Sequence, residues 1–185
     1  MDLKEKIIDA VIDEFNDKGL KFTMDDIAGN IGISKRTLYT VIKDKEALFI
    51  EAIDHVFAEI KNCEREIAND DSLDILDKLK SLLIVMPEKY KTVDFRQLYD
   101  LKEKYPRIYK KVENNLNTDW DLTYEVMKQA IAEGKIRQIS FPVFKAIFSG
   151  TIEYYLSRSV LIDNQMEYEE ALNQMLDIVM NGIKS

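Results

Sequence analysis

Apolar residues recur every three or four positions along most of the chain, which is the spacing of one face of an α-helix. In the first stretch, residues 3–18, the apolar side chains fall on a single stripe. Gly19 follows directly, and glycine adopts at little cost the left-handed conformation that ends many helices. No segment alternates apolar and polar residues as a half-buried strand does. The pattern therefore predicts an all-α protein.

The next segments predict two short helices joined by a tight turn. Thr23 and Asp26 have the spacing of a capping box, which marks the start of a helix. Gly32 interrupts this helix, and Ser34 can cap a second one. Two short helices that meet at a glycine turn are the sequence form of a helix-turn-helix, whose second helix lies in the major groove of DNA.

Capping residues, prolines and glycines predict further helices, for a total of about nine. The segment from Tyr90 to Lys102 is less regular than its neighbours. The predicted helices run from Asp44 to Ile67, from Leu73 to Met86, from Pro106 as one long helix to Gly134, from Pro142 to Leu156, and from about Tyr168 to Ile183.

The last two of these helices carry more apolar residues than one buried stripe needs. In the helix that begins at Pro142, residues such as Val143, Ala146 and Tyr154 lie off the main stripe. A helix that is apolar nearly all round is buried on more than one side. In a chain of 185 residues we expect the second burial to be against another copy of the chain.

The net charge of the chain argues against binding to nucleic acid, but the charge is unevenly distributed. The formal charge is -8, and affinity for DNA rests largely on cations that neutralise phosphates. The segment 34–45 nevertheless carries +3, from four cations and the anion Asp44, which leaves -11 for the rest of the chain. An acidic body with one small basic face would touch DNA only through that face.

Length and composition fit a soluble, cytoplasmic protein with a buried core. The chain is 46% hydrophobic, yet no uninterrupted apolar run has the length of about 18 residues that a membrane span needs. Its first ten residues include acids and lysines where a signal peptide would be apolar. The single cysteine, Cys63, excludes an internal disulfide and a cysteine-rich zinc site, so we expect no metal and no cofactor.

Residues 22–49, FTMDDIAGNIGISKRTLYTVIKDKEALF, resemble the DNA-binding signature of the TetR family of transcriptional regulators. The shared features are a threonine-capped helix, a Gly-Ile-Ser turn, a Thr-Leu-Tyr recognition helix and a Lys-Asp-Lys-Glu run into the next helix. With the helix before it, the resemblance covers roughly the first third of the chain. Beyond it the resemblance is one of helical architecture only.

The resemblance implies a DNA-binding surface around the second helix of the motif. Arg36 is the side chain expected to pair with a guanine, and the hydroxyls of Thr23 and Ser34 suit phosphate. Leu38 and Ile42 should face the core, and the apolar Val41 is left out of the site. The predicted DNA-binding residues are Thr23, Ser34, Lys35, Arg36, Thr37, Tyr39, Thr40, Lys43 and Lys45.

The resemblance also implies two domains, with residues 1–61 binding DNA and residues 62–185 binding an effector and forming the dimer. The final two helices of each subunit would make a four-helix interface. A homodimer with two-fold symmetry would read a palindrome in double-stranded operator DNA. Repression is the expected action because most similar proteins occlude promoters, and the sequence leaves activation open.

Aromatic residues are dense in the second domain and predict a cavity for a small-molecule effector. Such a lining suits a hydrophobic or cationic ligand, with Glu125 or Glu153 as a counter-charge. Helical bundles also use large aromatic residues simply as core, and that alternative applies to each of these positions. The predicted ligand-binding residues are Tyr99, Trp120, Tyr124, Phe148 and Tyr154.

Two other classes of function fit the sequence less well. An enzyme needs a nucleophile with a base, or clustered metal ligands, yet the chain has only one histidine, His55, and one cysteine. We therefore expect no catalytic residues. A protein-interaction module could keep the helix-turn-helix as scaffold alone, and it would show no salt-sensitive affinity for DNA.

Overall fold

The computed structural model describes residues 2–184, so Met1 and Ser185, the outer ends of the two predicted domains, lie outside it. Every regular element in the described range is helical apart from one isolated bridge between Ile136 and Lys184. The all-α prediction is confirmed. The α-helices are α1 (Leu3–Lys18), α2 (Met24–Asn30), α3 (Lys35–Val41), α4 (Lys45–Ala68), α5 (Ile75–Ile84), α6 (Leu101–Lys104), α7 (Pro106–Asn117), α8 (Asp121–Ala132), α9 (Phe141–Ser157), α10 (Val160–Asp163) and α11 (Tyr168–Ile183).

Local chemistry positions the first three helices as the sequence predicts. Thr23 accepts a hydrogen bond from the Asp26 amide at 3.2 Å, and Asp26 accepts one from the Thr23 amide at 2.7 Å. Gly19 and Gly32 have φ angles of +57° and +71°, which a residue with a side chain rarely adopts. The helix-turn-helix prediction is confirmed, with α2 and α3 joined by the turn at Gly32.

The small core beneath this motif is built from α1, α2, α3 and the beginning of α4. Phe49 lies at its centre, with ring centroids 5.6 Å from Phe15 and 5.8 Å from Phe22. Leu38 and Ile42 are buried, as predicted. Since burial of each such side chain contributes about 1.5–3 kcal/mol, this core fixes the orientation of α3.

Helix α4 joins the two parts of the protein. Its 24 residues span about 36 Å. Asp44 caps it, accepting a hydrogen bond from the Ala47 amide at 2.8 Å. The helix packs against α1 and also against α5, α7 and α8. One continuous element therefore belongs to both cores.

The prediction of one long helix from Pro106 to Gly134 is wrong. The chain leaves the helix after Asn117 and resumes at Asp121, with Asp119 at a φ of +55°. Lysines from other helices occupy the freed carbonyls: Lys145 donates to the Asn117 carbonyl at 2.7 Å, and Lys61 to the Asp119 carbonyl at 2.8 Å. These long-range hydrogen bonds compensate for the helical bonds that are lost.

The segment between α5 and α7 crosses from the second part of the protein to the first. It contains short 3₁₀ turns at Glu88–Tyr90 and Phe95–Leu98 in addition to α6, which agrees with the irregular segment predicted there. The Gln97 side chain lies directly over Gly19, where a β-carbon would collide with it. At the start of α7, Arg107 pairs with Glu46 at 3.1 Å.

Asp26 links the end of α1 to α2, which generates a pH-dependent prediction. Lys18 donates to Asp26 at 2.8 Å, and this hydrogen bond, with those from Thr23, lowers the pKa of Asp26 to about 2. A depressed carboxyl pKa stabilises the fold above the unfolded value of about 3.9, and the contribution is lost as the pH falls towards 2. We expect Asp26→Asn to lower the melting temperature at neutral pH, with the difference from wild type shrinking through that window.

The control is Asp13→Asn, which changes an exposed acid of α1. A deficit of Asp26→Asn that stays constant between neutral pH and pH values near 2 would contradict the assignment. Thermal denaturation followed by circular dichroism at several pH values makes the measurement.

Candidate DNA-binding surface and effector cavity

The helix α3 presents a polar face to solvent and an apolar face to the core. Leu38 is fully buried, whereas Tyr39 is 46% and Val41 is 41% exposed. The polar face brings together most of the predicted DNA-binding residues. Exposed side chains there and on the adjoining turns are Thr23, Ser34, Lys35, Arg36, Thr37, Tyr39, Thr40 and Lys43.

The cations of this face differ in how they are engaged. Lys35 donates to Asp25 at 2.8 Å, and this hydrogen bond raises the pKa of the lysine. Arg36 and Lys43 make no ion pair within residues 2–184. Arg36 and Lys43 can therefore bind an anion without giving up an acid, whereas Lys35 must exchange Asp25 for it.

The hydroxyl groups of the same face are partly used within the motif. Ser34 accepts a hydrogen bond from the Thr37 amide at 3.0 Å, which caps α3. Thr40 donates to the Thr37 carbonyl at 2.6 Å, and Thr23 donates to Asp26 at 2.7 Å. These bonds fix the side-chain rotamers while the hydroxyl groups remain exposed.

Lys45 lies apart from the other predicted DNA-binding residues. Its side chain is half-buried, and its ammonium group donates to the Leu20 carbonyl at 2.6 Å. The same group lies 4.4 Å from the centroid of the Phe22 ring and 5.5 Å from that of Tyr105. Lys45 thus ties the start of α4 to the turn after α1 and to the segment before α7.

An apolar cavity of about 190 Å³ lies between the helix-turn-helix part and the rest of the chain. Val11, Ile12 and Phe15 of α1 form part of its wall. The remaining wall comes from α4, α5, the segment 85–98, α7, Trp120 and Thr123 at the start of α8, α9 and α11. A molecule in this cavity would therefore contact both parts of the protein.

Few polar side chains line the cavity. Lys61 and Glu64 form an ion pair in which the lysine is 2.9 Å from each carboxylate oxygen. Glu64 is only 7% exposed, and burial raises its pKa although the lysine acts in the opposite direction. Asn115, Thr123, the indole of Trp120 and the hydroxyl of Tyr168 are the other polar groups of the lining residues.

The structure brings two of the five predicted ligand-binding aromatics to the cavity. Trp120 and Phe148 line it, and their ring centroids are 6.0 Å apart. Tyr99, Tyr124 and Tyr154 are exposed and lie outside its lining. The two proposed counter-charges also lie elsewhere: Glu125 pairs with Lys128 at 3.4 Å, and Glu153 accepts a hydrogen bond from Tyr109.

The matching family model covers residues 7–52, from the middle of α1 to the first turns of α4, and describes bacterial regulatory proteins of the tetR family. This is the part of the chain that presents the polar face of α3. Residues 7–52 therefore carry the DNA-binding region of the TetR family of transcriptional regulators.

Relatives agree with this assignment. This chain is 28% identical over 166 residues to the uncharacterised HTH-type transcriptional regulator YvaF of Bacillus subtilis (strain 168), a match that covers 90% of this chain and 87% of YvaF. It is 29% identical over 113 residues to IcaR of Staphylococcus aureus (strain Newman), the negative transcriptional regulator of the biofilm operon icaADBC, covering 60% of this chain and 54% of IcaR.

A solved structure shows the same fold over nearly the whole chain. The transcriptional regulator FadR of Bacillus subtilis, determined in complex with stearoyl-CoA, superposes with a TM-score of 0.66. The match covers 97% of this chain and 98% of FadR at 19% identity. The fold shared with FadR thus extends through α11. Between residues 2 and 184, no helix has the length and apolar content needed to cross a membrane.

Sequence reasoning missed most of the cavity wall of this regulator. Ile53, Val56 and Ile60 lie on the apolar stripe of α4, which predicted only that the helix is buried. The only available signal was the breadth of that stripe. It could not separate residues that face a void from residues that face a neighbour.

The position of Lys45 predicts an effect on stability rather than on phosphate binding alone. Lys45→Met removes a charged donor from the Leu20 carbonyl, which we expect to cost about 1 kcal/mol. The melting temperature should fall by about 3 °C. The exposed Lys43→Met is the control, and equal melting temperatures for the two variants would show that Lys45 contributes nothing to the fold.

Proposed function

We propose that the chain is a ligand-responsive repressor that binds a palindromic operator as a homodimer. The observation that carries the proposal is the exposed polar face of α3, which is held by a buried core and includes unpaired Arg36 and Lys43. Residues 1–61 are proposed as the DNA-binding domain, and residues 62–185 as the effector-binding and dimerisation domain.

The residues of the face have different proposed roles. Arg36 and Thr37 are in the first turn of α3, where side chains reach base edges, and arginine pairs with guanine through two hydrogen bonds. Tyr39 and Lys43 are proposed to contact phosphate, and the Thr23 hydroxyl would do so in place of its hydrogen bond to Asp26. Lys35 would join them once it releases Asp25. Lys45, which is held internally, is proposed to position the start of α4 towards the backbone.

An exposed apolar face supports the homodimer. On α9, Val143, Ile147 and Tyr154 are 58%, 53% and 52% exposed, and Gly150 lies on the same stripe. On α11, Ile178 is 72% exposed. Large exposed apolar patches mark protein–protein contacts, and a dimer that reads two half-sites needs its two α3 helices about 34–36 Å apart.

The position of the cavity supports ligand response. Because α1 and α4 both contribute to its wall, an occupant would contact the elements on which α3 rests. The ligand would favour a dimer in which the α3 helices are wrongly spaced for the operator. It can shift this balance only by its difference in affinity for the two states. Repression agrees with the name of IcaR, and a ligand agrees with the FadR complex.

Site selection from random duplex DNA tests the proposal at about 0.15 M salt, where phosphate contacts alone are weak. The wild-type chain should recover a palindrome that the variant Lys35→Ala/Arg36→Ala does not. The matched control is Lys128→Ala/Lys135→Ala, which removes two cations from the second domain. Recovery of the same sequences by the wild type and the Lys35→Ala/Arg36→Ala variant would overturn the proposed reading residues.

Single variants separate base recognition from phosphate contact. Arg36→Ala should relax the base preference at one position of each half-site, at a cost of about 1–3 kcal/mol. Lys43→Ala should weaken binding to all sequences alike and reduce the salt slope by about 1. Equal loss of specificity from both variants would contradict this division.

Ile178→Glu tests the dimer face. The side chain is exposed in the single chain, so the fold should survive, whereas a charge buried between two copies is costly. We expect sedimentation to show a monomer and operator affinity to fall sharply. Leu3→Glu, which changes an exposed apolar residue of α1, serves as the control. A dimeric Ile178→Glu variant would place the interface elsewhere.

A further inference from the structure

We propose that the cavity binds a neutral amphipathic molecule, namely an apolar chain with one un-ionised head group that both donates and accepts hydrogen bonds. This inference rests on the proposed function, in which the cavity is the effector site. It adds the chemical class of the ligand. It also replaces the cationic alternative, whose counter-charges Glu125 and Glu153 lie outside the cavity.

The apolar part of the ligand follows from the composition of the wall. Apart from Lys61 and Glu64, the side chains of α1, α4, α5 and α9 that line the cavity are aliphatic or aromatic, among them Ile12, Ile60 and Phe148. Such a wall offers no hydrogen bond to a polar molecule. Only a hydrocarbon chain or ring system fills it without stranding polar groups.

The head group follows from the polar residues at one side of the cavity. Lys61 and Asn115 line both the cavity and a neighbouring polar groove, so the polar lining lies where α4 meets α7. The carboxylate of Glu64 offers further acceptor sites, and the Asn115 amide, which gives one N–H to Asp54, offers its second N–H as a donor. A hydroxyl or amide group uses both kinds of partner.

The charge of this region argues for a neutral head. Lys61 lies 2.9 Å from both Glu64 oxygens, so the pair carries no net charge. In the adjoining groove Arg65 and Asp119 have opposite charges, and Asp54 is paired with Lys111 at 2.6 Å. An ionic head would lose its hydration without meeting an uncompensated opposite charge.

Four probes that share a decyl chain test the head group: decanol, decanamide, decanoate and decylammonium, used below their micellar concentrations at about pH 7. Trp120 is the only tryptophan of the chain and lines the cavity, so its fluorescence reports binding to the full-length protein. We expect decanol and decanamide to bind at least about tenfold more tightly than either ionic probe.

Charge variants of the pair should reverse this order. Glu64→Gln leaves Lys61 uncompensated and should bring the affinity for decanoate above that for decanol. Lys61→Met leaves Glu64 uncompensated and should favour decylammonium in the same way. The exposed pair Lys128 and Glu125 has the same spacing along its helix, so Glu125→Gln and Lys128→Met are matched controls that should keep the wild-type order.

The proposal is overturned if the wild-type chain binds an ionic probe as tightly as decanol, if no probe changes the Trp120 emission, or if Glu64→Gln keeps the wild-type order. Circular dichroism verifies the fold of each variant. If Lys61→Met does not fold, the result for Glu64→Gln alone decides the test. Release of selected operator DNA by decanol is measured separately. Binding in the expected order without release supports the ligand class and refutes the regulatory role of the cavity.

Discussion

A single continuous helix has to satisfy two hydrophobic cores, and the rest of the structure depends on this constraint. The N-terminal turns of α4 bury Leu48 and Phe49 beneath the helix-turn-helix, and its later turns pack against α5, α7 and α8. Neither core can reorient without moving or bending the helix. The cavity lies where the two cores meet, and α4, the helix that connects the cores, forms part of its wall.

The parts of the fold that could be predicted from the sequence are those that short-range chemistry decides. Helix α1, the capping box at Thr23 and the turn at Gly32 each depend on residues within a few positions of one another. The amphipathic pattern of α3 similarly separates Leu38 from Arg36 without knowledge of the tertiary structure.

The parts that could not be predicted depend on contacts between distant residues. The break between α7 and α8 is stabilised by Lys61 and Lys145, which are far from it in sequence. The internal position of Lys45 depends on the Leu20 carbonyl and the Tyr105 ring. The cavity is hidden for the same reason, because an apolar stripe specifies that a face is buried and not how completely its neighbours fill the space.

Because Val11, Ile12, Phe15 and Phe49 belong to the helix-turn-helix part of the chain and also line the cavity, the protein is not modular in the way its two-part architecture suggests. A chimera in which a foreign DNA-binding domain replaces residues 1–61 would have a different cavity wall. Under the proposed function, its response to a ligand would change along with its operator. A biosensor built by exchanging DNA-binding domains would therefore need the wall-forming residues of α1 and α4 to be transferred together with residues 62–185.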